Sequence, residues 1–528
     1  MNLFRDSLTA GSAASCGWVR SRTFRCPVHN AIVRKNSFAR ISQIRALGAR
    51  LAACVLSAGI AGNAWMANAA GPACSTDSFT NSLGDWVFIN SAPCGTYGEV
   101  YSRWQTNNNV ATLVKLKYMV NDPAGPAKAI VLLFTGGSGD AGIVPGTNGT
   151  VAKAAMNFLV RSAQLFANDG YRTVVVDSPE DSSGNKLYTN GLGGANASFD
   201  LYRVSVTNAW DIESVIQQVP GWMNLQIFLA GTSRGALTSV AQYHLGMGIC
   251  LSSAVNAGNL APGNPLFIGE PSQPALQPTN VTVPVQFLVN ADDGCSVCSP
   301  VITTNTLWKE FTNDTVLNGT LNLAPNIVAS TNSDGSDPCG DIEPHGYLGI
   351  ETAAVGTITA WLDQVLLRLA VKNVIALDSS LTLTNLNPVA VDLSQLISVP
   401  PAPSSALSLP YATSVSGVPI SLAGTKVNYV PIGSGADDGF LFQYTGTNGV
   451  RSIGMVRMRF GENPQLSIQS ASPITLTISW PGQSAGWFLQ ETPGLSPTAW
   501  LFSISGPTNP ATVPVSSGAE KFYRLSKP

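Results

Sequence analysis

The sequence contains few charged residues. Asp, Glu, Lys and Arg make up 11 % of its 528 residues, against about 25 % in an average globular protein. The 29 basic residues do not outnumber the 31 acidic ones, so nothing favours contact with phosphates, and we expect no nucleic-acid partner. Low charge does not indicate disorder here, because 45 % of the residues are hydrophobic. The length predicts about three domains.

The basic residues are concentrated at the N-terminus. Nine of them, with one acid, lie in residues 1–50, followed by the apolar run 51–66 and the small residues Ala67-Asn68-Ala69. This order is typical of a secretory signal peptide spanning residues 1–69, and it predicts a secreted or periplasmic protein. The alternative is an uncleaved membrane anchor. Losing this segment leaves a net charge of −10. Long apolar runs are lacking elsewhere, so we expect no membrane contact after cleavage.

Six cysteines follow residue 69. An even number in an exported chain predicts disulfides, and six cysteines allow 15 pairings. A zinc site at Cys295-x-x-Cys298 is the competing hypothesis. It lacks a second CxxC pair, and only His244 and His345 remain as histidine ligands, so we predict no metal. Our preferred pairs are Cys74–Cys94, Cys295–Cys339 and Cys250–Cys298.

The chain changes character near residue 375. Before it, apolar runs predict strands at 129–134, 173–177, 225–230, 251–256 and 284–289, which alternate with predicted helices at 151–168, 204–218, 234–245, 303–313 and 351–370. This alternation indicates a mostly parallel α/β sheet with helices on both faces. After it, short alternating runs rich in Ser, Thr and Val indicate all-β sandwich modules. The predicted domains are 70–372, 373–462 and 463–528.

A candidate nucleophile lies at the end of the strand predicted at 225–230. The sequence Gly231-Thr-Ser-Arg-Gly235 has the pattern G-x-S-x-G between an apolar strand and a helix, as in a nucleophile elbow. The glycines allow a sharp turn that brings backbone segments close together. Ser233 would then lie at the tip of the turn. The competing interpretation is a glycine-rich turn with an ordinary serine.

Serine needs a base to remove its proton, and histidine is scarce. His244 follows Ser233 by eleven residues on the next helix, roughly 16 Å along the helix axis, which is too far. His345 lies in a loop before the last predicted helix, and we predict that it is the base.

The acid of such a site follows a strand between the serine and the histidine. The strand predicted at 284–289 leads into Asp292 and Asp293, and only one of two adjacent side chains should reach the histidine. Cys295 follows these acids and Cys339 precedes His345. A bridge between the two cysteines would therefore tie the acid loop to the base loop and preorganise the site.

The oxyanion hole of such a site is formed by backbone N–H groups. We expect the amide of Arg234, directly after the nucleophile, and those of Gly136 and Gly137, in the glycine-rich loop after the strand at 129–134. A phosphate-binding function for this loop is disfavoured, because the pattern GxxxxGK[ST] is lacking here.

Residues 120–370 resemble a bacterial family of secreted, esterase-like α/β-hydrolases. The matching stretches are VLLFTGGSG, NFLVRS, VVVDSPED, FLAGTSRGA, VPVQFLVNADDGC and DPCGDIEPHGYLGIE. The resemblance implies an α/β-hydrolase fold and a triad whose acid is the Asp before Gly-Cys, here Asp293, with Asp292 as the alternative. A strand similar to VLVVHH usually precedes that acid, and Val289 and Asn290 replace its histidines. The resemblance does not indicate a substrate.

The region after residue 373 resembles bacterial Ig-like and cadherin-like modules, on the stretches VIALDSSLTLTNLNPVAVDL and VNYVPIGSGADDGFLFQYTGTNG. Three tryptophans, Trp480, Trp487 and Trp500, lie toward its end. We expect these rings in the cores of the modules. The alternative is that they contact a polysaccharide or a cell surface.

Together these features predict an exported serine hydrolase that cleaves carboxylic esters without a cofactor, acting on small-molecule or polymeric esters. Ser233 would attack, His345 would move the proton and Asp293 would orient His345. Two alternatives remain open from the sequence: a serine peptidase or acyltransferase, and a non-catalytic, adhesin-like surface-binding protein on a hydrolase scaffold.

Overall fold

The structure is a computed structural model that describes residues 95–526 with gaps, the longest at 189–197, 256–265, 299–310 and 312–325. Before residue 95 it describes only two short antiparallel strands, Ser78–Thr80 and Trp86–Phe88. The predicted signal peptide, the predicted Cys74–Cys94 bridge and almost all of the predicted helix 303–313 lie outside the described residues.

Eight strands form the main sheet, in the order β1-β2-β4-β3-β5-β6-β7-β8. All neighbours are parallel except β1 with β2 and β2 with β4. The edge hairpin of β1 and β2 was not predicted from the sequence. The strands are β1 (Thr96–Asn107), β2 (Val110–Asn121), β3 (Ile130–Phe134), β4 (Arg172–Val176), β5 (Ile227–Thr232), β6 (Ile249–Ser252), β7 (Val285–Asn290) and β8 (Asn326–Val328).

The helices of this unit are α1 (Phe158–Arg161), α2 (Ala163–Asn168), α3 (Ser198–Arg203), α4 (Val206–Ile216), α5 (Gly235–Ala241) and α6 (Glu351–Leu366). Short 3₁₀ turns lie at Thr147–Gly149, Tyr243–Leu245, Pro274–Leu276, Pro278–Asn280 and Pro344–Gly346. The prediction of one helix over 151–168 was wrong. Val151–Lys153 is a strand paired with Val144–Pro145, and the helix begins only where the Asn157 side chain caps it by accepting from the Leu159 amide.

Helices cover both faces of the sheet, as predicted. Along β3, the side chains alternate between two buried clusters: Ile130, Leu132 and Phe134 pack with α4 and α5, whereas Val131 and Leu133 pack with α1, α2 and α6. Every residue of β3 is buried. A strand buried on both faces reads as a continuous apolar run, which is why this strand was readable from the sequence.

The residues after 373 are all β among those the structure describes. A four-stranded sheet (Ser379–Leu383, Leu407–Ser408, Asp438–Thr445, Arg451–Phe460) and a three-stranded sheet (Val389–Asp392, Ser421–Ala423, Lys426–Tyr429) share one core. Two 3₁₀ turns, Leu393–Gln395 and Ser404–Ala406, belong to this unit. Two further three-stranded sheets follow (Ser467–Ser472, Thr475–Ser479, Ala511–Pro514, and Phe488–Thr492, Leu501–Phe502, Phe522–Ser526). Their identity as Ig-like sandwiches stays a prediction.

The core of the α/β unit continues into the first β unit. Leu441, Ile453 and Met455 belong to the same buried cluster as Trp210 of α4. A Cβ added at Gly439 would lie 2.4 Å from the Trp210 ring, so the two units approach closely there. The Met455 sulfur accepts a hydrogen bond from Gln217 at 2.9 Å.

The tryptophans near the C-terminus pack against other side chains of the protein, although Trp487 and Trp500 stay partly exposed. Trp480 is buried in the last core. The guanidinium of Arg459 lies over the Trp487 ring, and that of Arg524 over the Trp500 ring at 4.4 Å from its centroid. These contacts favour a structural role, and nothing in the described residues supports polysaccharide binding through these rings.

We find no helix in the described part of the chain that is both long and apolar enough to cross a membrane.

Because the two units share a core, contacts made by the first β unit contribute to the stability of the α/β unit. We expect Met455→Ala to lower the free energy of unfolding by about 2–5 kcal/mol, because it opens a cavity in a fully buried interface. The measurement is denaturant unfolding of the full chain followed by circular dichroism. Met223→Ala, at a side chain that is 43 % exposed, is the control and should change little. Equal effects of the two substitutions would contradict the shared core.

Candidate active site

Ser233 lies at the tip of a sharp turn between β5 and α5. Its backbone is left-handed, with φ of +52°, which is rare for a residue with a side chain. A Cβ at Gly235 would lie 2.2 Å from the carbonyl oxygen of Phe134 in β3, and one at Gly231 would lie 2.3 Å from the carbonyl oxygen of Gly235. Both glycines are therefore required by close backbone contacts. The serine side chain is partly exposed.

His345 and Asp293 form a buried pair. His345 Nδ1 lies 2.9 Å from Asp293 Oδ2, and the other oxygen of Asp293 accepts from the Cys295 amide at 2.9 Å. Asp292, the alternative acid, is exposed. Its own amide donates to the Asn290 side chain, so it is Asp293 that contacts the histidine.

A buried arginine holds the loop that carries His345. Arg161 of α1 is 3 % exposed. It donates to the carbonyl oxygens of Gly346 at 2.5 Å and Asp341 at 3.0 Å, and it forms an ion pair with Glu351. Sequence reasoning noted the stretch NFLVRS but gave this arginine no role, because a long-range contact to a loop leaves no local pattern.

Two further side chains fix the same loop from the sheet. Asn290, at the end of β7, donates to the Pro344 carbonyl oxygen at 2.8 Å. The Tyr347 hydroxyl donates to the Leu288 carbonyl oxygen at 2.9 Å. Asn290 stands where the resemblance expects a histidine, and here its amide positions the base loop.

A disulfide joins Cys295 to Cys339 across 44 residues, as predicted, and it links the acid loop to the segment before His345. The predicted Cys250–Cys298 bridge is wrong, because both residues are free thiols. Cys250 lies on β6 in the core between the sheet and α6, whereas Cys298 packs beside the disulfide in a separate buried cluster.

The free thiol of Cys298 lies next to the serine. Its Sγ is 3.3 Å from Ser233 Oγ and lies within 4.8 Å of a ring nitrogen of His345. In the part of the chain that the structure describes, we find no direct hydrogen bond between Ser233 and His345. Sequence reasoning missed this contact because Cys298 was assigned to a disulfide.

The glycine-rich loop after β3 lies against the serine. A Cβ at Gly136 would be 2.9 Å from Ser233 Cβ, so only glycine allows this approach. Arg203 of α3 donates to the carbonyl oxygens of Thr135 at 3.0 Å and Gly137 at 3.3 Å. These two hydrogen bonds hold the backbone of the loop beside Ser233. Gly136 and Gly137 are thus near the serine, as is Arg234, the next residue in the chain.

The pKa of His345 is raised to about 10. Burial alone would lower the pKa by disfavouring the charged ring, but the contacts with Asp293 and Cys298 outweigh it. The other described histidine, His244, has a pKa lowered to about 3 by burial and by the nearby Arg451. His244 lies beside Tyr243 and Tyr411, in the surroundings of a structural side chain.

No family model and no curated protein matches this chain. Solved structures similar to it include a serine α/β-hydrolase without a lid from Xanthomonas campestris, at 12 % identity and a TM-score of 0.29, covering 50 % of this chain and 95 % of that one. A cold-adapted esterase from an Arctic intertidal metagenomic library has 13 % identity and a TM-score of 0.30, with 53 % and 98 % covered. An acylaminoacyl peptidase of Pyrococcus horikoshii has 13 % identity and a TM-score of 0.31, with 51 % and 41 % covered.

These similarities are distant, and the class of the protein follows from its own geometry. A mostly parallel sheet carries a serine on a strand–turn–helix elbow, and an aspartate and a histidine follow in that chain order. This is the arrangement of an α/β-hydrolase fold. The residues from β1 to α6 have that fold.

The elbow depends on the two glycines. We expect Gly235→Ala to lower the free energy of unfolding by about 3 kcal/mol or more, because the added Cβ overlaps a backbone oxygen of β3 that cannot move away. Gly356→Ala is the matched control, since a Cβ there meets nothing within 4 Å and alanine should stabilise α6 by about 0.5–1 kcal/mol. Thermal unfolding of both variants tests the expectation, and a tolerated Gly235→Ala would contradict it.

The disulfide between the acid and base loops should matter for both stability and reactivity. We expect the double variant Cys295→Ser/Cys339→Ser to lose about 3–4 kcal/mol of stability for a loop of this length. We also expect slower labelling of Ser233. Both cysteines are replaced so that neither can pair with Cys298. If melting temperature and labelling by a fluorophosphonate probe are unchanged, the bridge does not preorganise the site.

Proposed function

We propose that this protein is an exported serine hydrolase that cleaves carboxylic esters through an acyl-enzyme. The observation that carries the proposal is the combination of two features at the carboxyl ends of the strands. Ser233 lies on a strained elbow, and His345 and Asp293 form a buried pair. Backbone strain at a residue whose side chain is partly exposed is typical of functional sites. The export follows from the predicted signal peptide at residues 1–69.

In the proposed reaction, Ser233 Oγ attacks the acyl carbon and its proton passes to the imidazole of His345. Asp293 accepts from Nδ1–H, which leaves Nε2 as the basic nitrogen and stabilises the imidazolium that forms. The amides of Arg234, Gly136 and Gly137 would bind the developing oxyanion. His345 then protonates the leaving alcohol, and water releases the acyl group by the same steps.

The same residues would also support peptide cleavage or acyl transfer to another acceptor, so the ester substrate is part of the proposal. Neighbouring esterase and peptidase structures do not separate these reactions. A panel of p-nitrophenyl esters, anilides and aromatic polyesters separates them directly. We expect the esters to react fastest, because an alkoxide or phenolate leaves more readily than an amine.

The enzymatic proposal is tested by covalent labelling. We expect a fluorophosphonate probe to label the full chain once, at Ser233, and Ser233→Ala to abolish labelling. Ser183→Ala, at an exposed loop serine, should label like the unmodified chain. Labelling is measured by intact mass and peptide mapping. If the folded, unmodified protein does not label, the scaffold is non-catalytic and a surface-binding function takes its place.

The raised pKa of His345 predicts an alkaline pH profile. A general base acts in its neutral form, and below its pKa the neutral fraction falls tenfold per pH unit. With the pKa at about 10, we expect the labelling rate of the free enzyme to rise from pH 6 to pH 9 and to level off above about 10. Asp293→Asn should lower that pKa, move the rise to lower pH and reduce the rate by about 10⁴-fold. A rate that is flat above pH 7 in the unmodified chain would contradict the assignment.

A further inference from the structure

Four side chains lie in one continuous row. Ser233 Oγ lies 3.3 Å from Cys298 Sγ, Cys298 Sγ lies within 4.8 Å of a ring nitrogen of His345, and His345 Nδ1 lies 2.9 Å from Asp293. Because Nδ1 is engaged with the carboxylate, Nε2 is the ring nitrogen left to exchange a proton with the thiol. The thiol therefore occupies the place where the serine hydroxyl of a three-residue triad would meet its base.

The position of Cys298 is fixed by its surroundings. The residue is 1 % exposed, its amide donates to the Cys295 carbonyl oxygen at 3.4 Å, and its backbone forms a bridge with Val255. The polar atoms of Cys295, Cys298 and His345 all lie within 4.8 Å of one another. The neighbouring Cys295 is held in its disulfide with Cys339, so Cys298 is the thiol that is free to exchange a proton here.

We propose that Cys298 is a catalytic residue that carries the proton from Ser233 to His345 during acylation. The inference rests on the proposed serine hydrolase function and adds a fourth member to its catalytic group. A thiol suits this position because it both accepts and donates a hydrogen bond.

The step balances without any oxidant or second substrate. A bond forms between Ser233 Oγ and the acyl carbon, and a carbonyl electron pair moves onto the oxygen. The Oγ–H bond breaks and its proton moves to Cys298 Sγ, while the Sγ–H proton moves to His345 Nε2. The thiol is regenerated with its sulfur unoxidised, and the net change is one proton transferred from serine to histidine.

The test compares Cys298→Ala, which removes the relay, with Cys298→Ser, which keeps a donor and acceptor at the same place. The rate of fluorophosphonate labelling of Ser233 is measured from pH 6 to pH 10 on the full chain, with melting temperatures in parallel. We expect a loss of about 10²-fold or more in the alanine variant and a much smaller loss in the serine variant. Cys250→Ala, at the other free thiol, should retain the labelling rate of the unmodified chain.

A measurement on the unmodified protein covers the case in which Cys298→Ala does not fold. The labelling rate is followed in mixtures of H₂O and D₂O. Two protons in motion give a curved dependence on the deuterium fraction, as the relay requires, whereas one proton gives a straight line and overturns it. Labelling of the alanine variant at or above the unmodified rate also overturns the relay but leaves the serine hydrolase function intact. Absence of labelling in the unmodified chain overturns both.

Discussion

The close contact between the elbow and β3 is the constraint on which the site depends. The carbonyl oxygen of Phe134 approaches Gly235 so closely that no side chain fits between them. This contact leaves the chain after β5 no room for a wider turn, so Ser233 takes a left-handed backbone. The same strand, β3, continues into the glycine-rich loop at Gly136. One strand end thus places both the serine and the amides beside it.

The other half of the site lies on loops and is held there by buried polar groups. Arg161 binds the carbonyl oxygens of the base loop from the helix side, and Asn290 binds it from the sheet. Each donor would be costly to bury without these acceptors, so the loop and its anchors stabilise one another. The orientation of His345 is therefore set by the side chains that hold its loop.

The predictable part of this protein was the part with local signals. The parallel strands, the elbow at Ser233 and the order of Asp293 and His345 all follow from apolar runs and short motifs. The antiparallel hairpin of β1 and β2 did not, because the edge strand β1 is only partly buried and neither strand has a continuous apolar run. The place of Cys298 could not be read either, since its neighbours come from loops far apart in sequence. The number of cysteines does not show which of them form a disulfide and which one is a free thiol beside a serine.

The buried contact between α4 and the first β unit affects how the chain can fold. Trp210 and Met455 are separated by more than 200 residues, yet they belong to one core. Contacts over such distances form late, because a long loop must close first. Until residues near 455 have been synthesised, the apolar face of the α/β unit stays open to water and to other chains. The α/β unit is therefore completed only when the first β unit has been synthesised, and the two fold as one unit.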